Sequence, residues 1–288
     1  MSFQNLTPFP AISWENVNAK KQWHITTLVR VKYRFHPSSS KKGQWQLLIH
    51  QDQEDLFGED IFFEDNINLP VRYESDFVIY KPNTDIILNA KAKDARGLAI
   101  KNQCTFVITD PNKNKIKDKT INVYGKYPWL DGSSNKKNYS MGTGFVGRGH
   151  NDRLRHAGTY DKSWIKHQHP YPPHDYSHAY NQAAHSGLIM SGFIKPGSKI
   201  GLSNLLSEGR DVFTIPKLNC FVEHVSPSKN THRYVMNIDT VLIDIDSDKQ
   251  EDWAVYLSYR YYQIKTYEPK DTIVKYLPTP HQLEVQHG

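Results

Sequence analysis

Residues 28–35 read LVRVKYRF, and they alternate strictly: Val29, Val31, Tyr33 and Phe35 fall on one side, Arg30, Lys32 and Arg34 on the other. A period of two is that of a strand with one face in a core and the other in water. Outward from this stretch the rhythm repeats. Apolar runs at 45–49, 76–80, 85–92, 104–108 and 121–124 are separated by HPSSSKKG, KPNTD, DARG and DPNKNK, all turn-forming compositions. Further runs at 188–194, 199–202, 212–215, 220–225, 233–246 and 253–264 carry the pattern on, the last two as a hairpin around SDKQED. Short strands at this spacing predict a mainly β fold of sandwich-like sheets.

Composition agrees. Of 288 residues 12% are aromatic, with 17 Tyr, 12 Phe and 6 Trp, which favours strands over helices. A chain of this length can bury a core without staples. The net charge of +6 is mild and no long run of like charge occurs, so neither nucleic acid nor a membrane surface is an expected partner. Cys104 and Cys220 both sit in apolar runs and read as buried, unpaired thiols of a reducing compartment. The opening residues MSFQNLTPFPAISWEN lack a basic start followed by an apolar stretch, and no run of 18 apolar residues occurs. A cytoplasmic location is expected.

The chain divides into a β-rich part at 1–127, an irregular His/Gly/Pro-rich segment at 128–186 and a second β-rich part at 187–288, forming one unit or two β lobes. Short helices are predicted only at 161–167 and 175–184. The middle segment holds His150, His156, His167, His169, His174, His178 and His185, seven of the 14 histidines. Only His174 with His178 has helical spacing and only His167 with His169 has strand spacing, and no H-E-x-x-H occurs, so no metal and no cofactor are expected. Gly142, Gly144 and Gly147 spell G-x-G-x-x-G without the strand and helix a dinucleotide site needs. Ser163 and Lys166 form S-x-x-K without its companion motifs. Asp244, Asp246 and Asp248 begin like a calcium loop, but Lys249 and Val255 stand where that loop needs Gly and Glu, which leaves outward acids entering a turn. No catalytic residue is assigned.

In WAVYLSYRYYQ, residues 253–263, Val255, Leu257, Tyr259 and Tyr261 form one face and Tyr256, Ser258, Arg260 and Tyr262 the other. With the first face in the core, the second presents Tyr256, Arg260 and Tyr262, residue types that anchor protein interfaces. Arg30, Lys32 and Arg34 add a basic row on a like face. The alternative is an internal aromatic ladder.

Four stretches bear a resemblance to a known family: LVRVKYRF; YESDFVIYKPNTDIILNAKAKDARG at 73–97, continuing to NVYGKYPW; HAGTYDKSWIKHQHPYPPHDY at 156–176; and GFIKPGSKIGLSNLLSEGRDVFTIP at 192–216. In this order, within residues 23–266, they resemble a bacterial family of unknown-function domains encoded beside type VI secretion effectors. Its members act as adaptors or chaperones that load a toxin onto the secretion spike. The resemblance marks Asp76, Lys81, Pro82, Thr84 and Asp85 in the second stretch. In the third it marks Gly158, Thr159, Tyr160, Asp161, Trp164, Pro170, Pro173 and Asp175. It departs at Asn138, which is followed by Tyr139 rather than Pro, and this leaves the effector class open.

These residues read as architecture. Pro82 fixes a turn, Asn83 or Thr84 bonds local backbone, and Asp85 starts an inward strand. Tyr160 and Trp164, four apart, make one helical turn that staples the middle segment to the sheets, capped by Thr159 or Asp161. The resemblance implies a non-enzymatic adaptor whose partners are a type VI effector and the spike protein. Two alternatives are a metal-dependent hydrolase using the histidines of 150–185 and a carbohydrate-binding sandwich.

Overall fold

In a computed structural model, residues 2–39, 41–90, 101–124, 144–207, 209–265 and 269–277 are described. The first part forms β1 (Ser2–Asn5), β2 (Ala11–Val17), β3 (Trp23–Pro37), β4 (Gln44–Ile49), β5 (Ile61–Phe62), β6 (Val71–Tyr73), β7 (Asp85–Ala90), β8 (Lys101–Thr109) and β9 (Lys115–Tyr124). Two short helices follow, α1 (Asn151–Leu154) and α2 (Lys162–His167). Then come β10 (Lys199–Ser203), β11 (Arg210–Thr214), β12 (Asn219–Val225), β13 (Thr231–Val235), β14 (Asn237–Ile245), β15 (Ala254–Ile264) and β16 (Asp271–Leu277). The fold is mainly β.

LVRVKYRF lies inside β3, 15 residues long, which pairs with β15 along one side and divides its other side between β2 and β4. The large sheet has ten strands in the order β7-β14-β15-β3-β4-β11-β10-β8-β9, with β2 beside β3. A four-stranded sheet runs β1-β16-β12-β13, and β5 pairs with β6. Strands from the two ends of the sequence are interleaved: β3 lies against β15, β7 against β14 and β1 against β16. The two β-rich parts are therefore not separate lobes. Apolar side chains of both sheets, among them Val31, Tyr33, Ile87, Leu202, Val222 and Tyr259, meet in one core.

The alternating pattern found the strands but not their surroundings. Residues Ala254–Tyr261 of β15 are buried without a break, because segment 52–80 covers the face expected to be wet. Arg30, Tyr256 and Arg260 are consequently only 2%, 4% and 4% exposed, not surface anchors. Asp244, expected to face outward, is buried and accepts bonds from Arg72 and Tyr73.

Three expected elements differ for similar reasons. Residues 76–80 form no strand, since their carbonyls serve side chains: Asp76 and Val78 accept from Arg260, Ile79 from Thr26 and Tyr80 from Asn181. Residues 188–194 contribute one bridge, Ile189 to Asp85. Of the helix at 175–184 only a 3-10 turn, His178–Asn181, is present, capped by Ser177; Asn181 and Gln182 turn their amides onto Tyr80, Asn83 and Asp85 instead. The run 233–246 breaks at Met236, where the chain passes from the small sheet to the large one. The turn expected at 94–97, the segment at 125–143 and Gly142 within it lie outside the described residues.

Candidate functional site

The residues marked by the resemblance gather at two places. The first is a layer of buried charge behind β15. Arg30 pairs with Asp76 at 2.5 Å, donates to the Asp55 carbonyl and lies 3.8 Å from the centre of the Phe57 ring. Arg260 pairs with Asp239 and donates to the Val78 carbonyl at 2.7 Å. Lys81 reaches Asp85 at 2.8 Å and the Thr240 hydroxyl at 3.0 Å. Asp85 also accepts from Gln182 Nε2 at 2.6 Å and the Ala183 amide at 2.7 Å, which pins the end of the middle segment against β7. Arg153 of α1 reaches Glu74 at 2.7 Å. Every charge here has a partner, as burial demands.

Apart from the Lys81–Asp85 pair, the side chains of KPNTD bond over long range. Thr84 Oγ1 donates to the Ile238 carbonyl and accepts from the Ile194 amide, while Asn83 Oδ1 accepts from Gly192. Between Arg30, Asp76, Lys81, Thr240 and Arg260 a cavity of about 20 Å³ remains. That volume holds a single water and no substrate. The layer is a lock that joins segment 52–85, the middle segment and three strands.

The second place is a knot at 158–175. Gly158 has φ +83°, and a Cβ there would stand 2.9 Å from Pro173 Cβ. Asp175 accepts from the Thr159 amide at 2.9 Å and hydroxyl at 2.7 Å, which holds its carboxyl below the usual range. Asp161 caps α2 through the Trp164 amide, and Tyr160 meets Trp164 edge to face at 4.8 Å. The helix buries none of its own residues, so it is not the staple expected. That task falls to Gln168, just past it, whose amide donates to Ala19 and Pro172. His167, His169 and His174 are exposed, and among the described residues no three His, Cys, Asp or Glu side chains converge as a metal site.

An open hollow of about 520 Å³ lies elsewhere, where β13 faces the far end of β15. Tyr80, Tyr234, Tyr261 and Tyr262 wall it, and Arg233, Val235 and Asn237 form its rim. Tyr262 stacks between Tyr80 at 4.6 Å and His24 at 4.5 Å, and bonds His178 Nε2 at 3.2 Å. Tyr234 stacks on Tyr261 at 5.0 Å, with the His224 ring beside both. Burial lowers His178 and His224 to about 4 and pushes Tyr262 up to about 12, so these rings are neutral near pH 7. Aromatic walls around an open space of this size fit side chains of a ligand.

Of the six residues expected at a partner surface, two line this hollow, Arg260 from a buried position and Tyr262 from a half-exposed one. Lys32 is tied to Glu54. Arg34 lies opposite Ala254 and Tyr262 opposite Thr26, eight positions along β3 or about 27 Å, too far for one contact patch. Arg233, Tyr234 and Val235 were not singled out because the run 233–246 reads as one continuous strand, nor was Tyr80, which closes the separate run 76–80. Met236, whose flanking residues face two different sheets, carries no sequence signal for the switch.

Residues 130–251 match a bacterial family. Its description is "Uncharacterized protein conserved in bacteria (DUF2169)", and the match takes in the knot, β10 to β14 and the start of the β14–β15 turn. No curated protein and no solved structure matches the chain. No helix among the described residues is long and apolar enough to cross a membrane.

Proposed function

We propose that this protein is a non-enzymatic adaptor that holds another polypeptide, a type VI secretion effector, in the cytoplasm and presents it to the secretion spike. The effector and the spike come from the resemblance of the four sequence stretches. The binding role is supported by one structural contrast: the buried ionisable groups are spent on one another around a water-sized cavity, whereas the roomy hollow is aromatic, open and flanked by a strand edge. Acid–base or nucleophilic chemistry needs a reactive group facing space for a substrate. Tyrosine walls with an arginine at the rim suit a protein partner.

Co-expression with the product of the adjacent effector gene, followed by size exclusion, tests the proposal. A stoichiometric complex is expected, and separate elution at micromolar concentration overturns it. The same tyrosines could stack on sugar rings, and a glycan array that binds the isolated protein while the effector does not would favour that reading.

A further inference from the structure

Besides β2, which sits beside β3 with Glu15 paired to Lys265, four strands end the two main strand orders: β7 and β9 in the large sheet, β1 and β13 in the small one. A strand at a sheet edge offers unpaired backbone groups to another chain unless something blunts it. β7 is covered, since Asp85 bridges Ile189 and Met190 donates to the Thr84 carbonyl. β1 is only four residues long. β9 carries Lys115, Lys117 and Lys119 at alternate positions, a charge row that discourages pairing. None of these devices occurs on β13.

The register of β13 states which of its groups are unused. Phe221 lies opposite Val235 and Glu223 opposite Arg233. Met236 donates to the Cys220 carbonyl and Ser226 to that of Asn230, so the bonded pairs of this antiparallel ladder are 220/236, 222/234, 224/232 and 226/230. The amides and carbonyls of Thr231, Arg233 and Val235 therefore point away from β12, toward a side on which the sheet has no further strand among the described residues.

Charge and shape narrow the occupant. Arg233 and Lys275 share the single carboxylate of Glu223 at 2.6 and 2.7 Å, which leaves a net positive charge at the edge, and Lys229 adds another in the hairpin turn. Among the described residues no carboxylate side chain lines the adjoining hollow, and Val235 is 68% exposed at its rim. We infer that the edge of β13 receives an extended, acidic segment of the client as an added strand, with an acidic side chain on Arg233 and an aromatic one in the tyrosine-walled hollow. Main-chain bonds supply the affinity of such a contact and alternate side chains its selectivity. The inference rests on the adaptor reading and names the contact it uses.

Two measurements decide it. In the complex with the adjacent effector product, the amides of Thr231, Arg233 and Val235 should exchange about tenfold or more slowly than in the free protein. Those of His232 and Tyr234, already in the ladder, should change little. Val235→Pro, which removes an outward amide and no ladder bond, should weaken the complex about tenfold or more without lowering the melting temperature. Independently, a random dodecapeptide library panned on the full-length protein should yield sequences alternating acidic with aromatic or β-branched residues, and Arg233→Ala should abolish the acidic preference while Lys275 keeps Glu223 paired.

A complex whose β13 amides remain unprotected overturns the inference and leaves the adaptor reading intact. Failure to form any complex overturns the adaptor reading, and the library then decides alone: no enrichment, or enrichment insensitive to Arg233→Ala, also overturns the strand-edge inference.

Discussion

The two ends of β15 make opposite use of similar side chains. At Tyr256 and Arg260 the strand is roofed by segment 52–80, and each polar atom is matched: Tyr256 with Glu54, Arg260 with Asp239 and two carbonyls. At Tyr261 and Tyr262 the roof ends and the rings line open space beside an unfinished sheet. Arginine and tyrosine thus form a fully bonded internal layer at one end, while at the other tyrosines line open space. Residue type does not distinguish the two uses; the covering segment does.

Breaking the cement should cost most. Arg260→Met leaves Asp239, 1% exposed, without its partner, and should lower stability by about 3–5 kcal/mol in urea denaturation, whereas Arg260→Met with Asp239→Leu should recover most of it. Acid comes next. His224 and His178 have folded pKa values near 4, below the unfolded value near 6.5, so their contribution is complete above pH 6.5 and is lost as pH falls from 6.5 toward 4. For His224 the slope is up to about 1.4 kcal/mol per pH unit, and a His224→Phe variant should show a flatter urea midpoint between pH 7 and 5. In the knot, Gly158→Ala meets Pro173 at a positive φ and should cost about 1–3 kcal/mol, read as faster proteolysis within 156–176. At the open end, Val235→Asp should change stability by less than about 0.5 kcal/mol yet weaken effector binding, the reverse of the Arg260 result.

Much of the fold was legible because a period of two survives in β3, β8 and β15. What covers those strands was not. Arg30 and Arg260 occupy positions that alternation assigns to water, and a polar face roofed by a partnered segment has the same pattern as a solvated one. The motif residues read as architecture, and beside near bonds such as Lys81 with Asp85 and Thr159 with Asp175 they make others across 97 to 159 positions, as for Asp85 with Gln182 and Lys81 with Thr240. No local rule reaches that distance. Of the residues around the hollow, Arg260 and Tyr262 lie in a strand whose alternation is plain, while Tyr234 and Arg233 were hidden by a sheet switch at Met236. Cys104 and Cys220 are buried and unpaired as expected.

The parallel pairing of Ser2–Asn5 with Asp271–Val274 has a consequence for synthesis. As the chain leaves the ribosome β1 must wait for its neighbour until residues 271–274 have been made, and that side of β3 must likewise wait for β15. The nascent protein therefore spends its emergence with long aromatic strands unmatched, a window in which a ribosome-bound holdase has the most to protect.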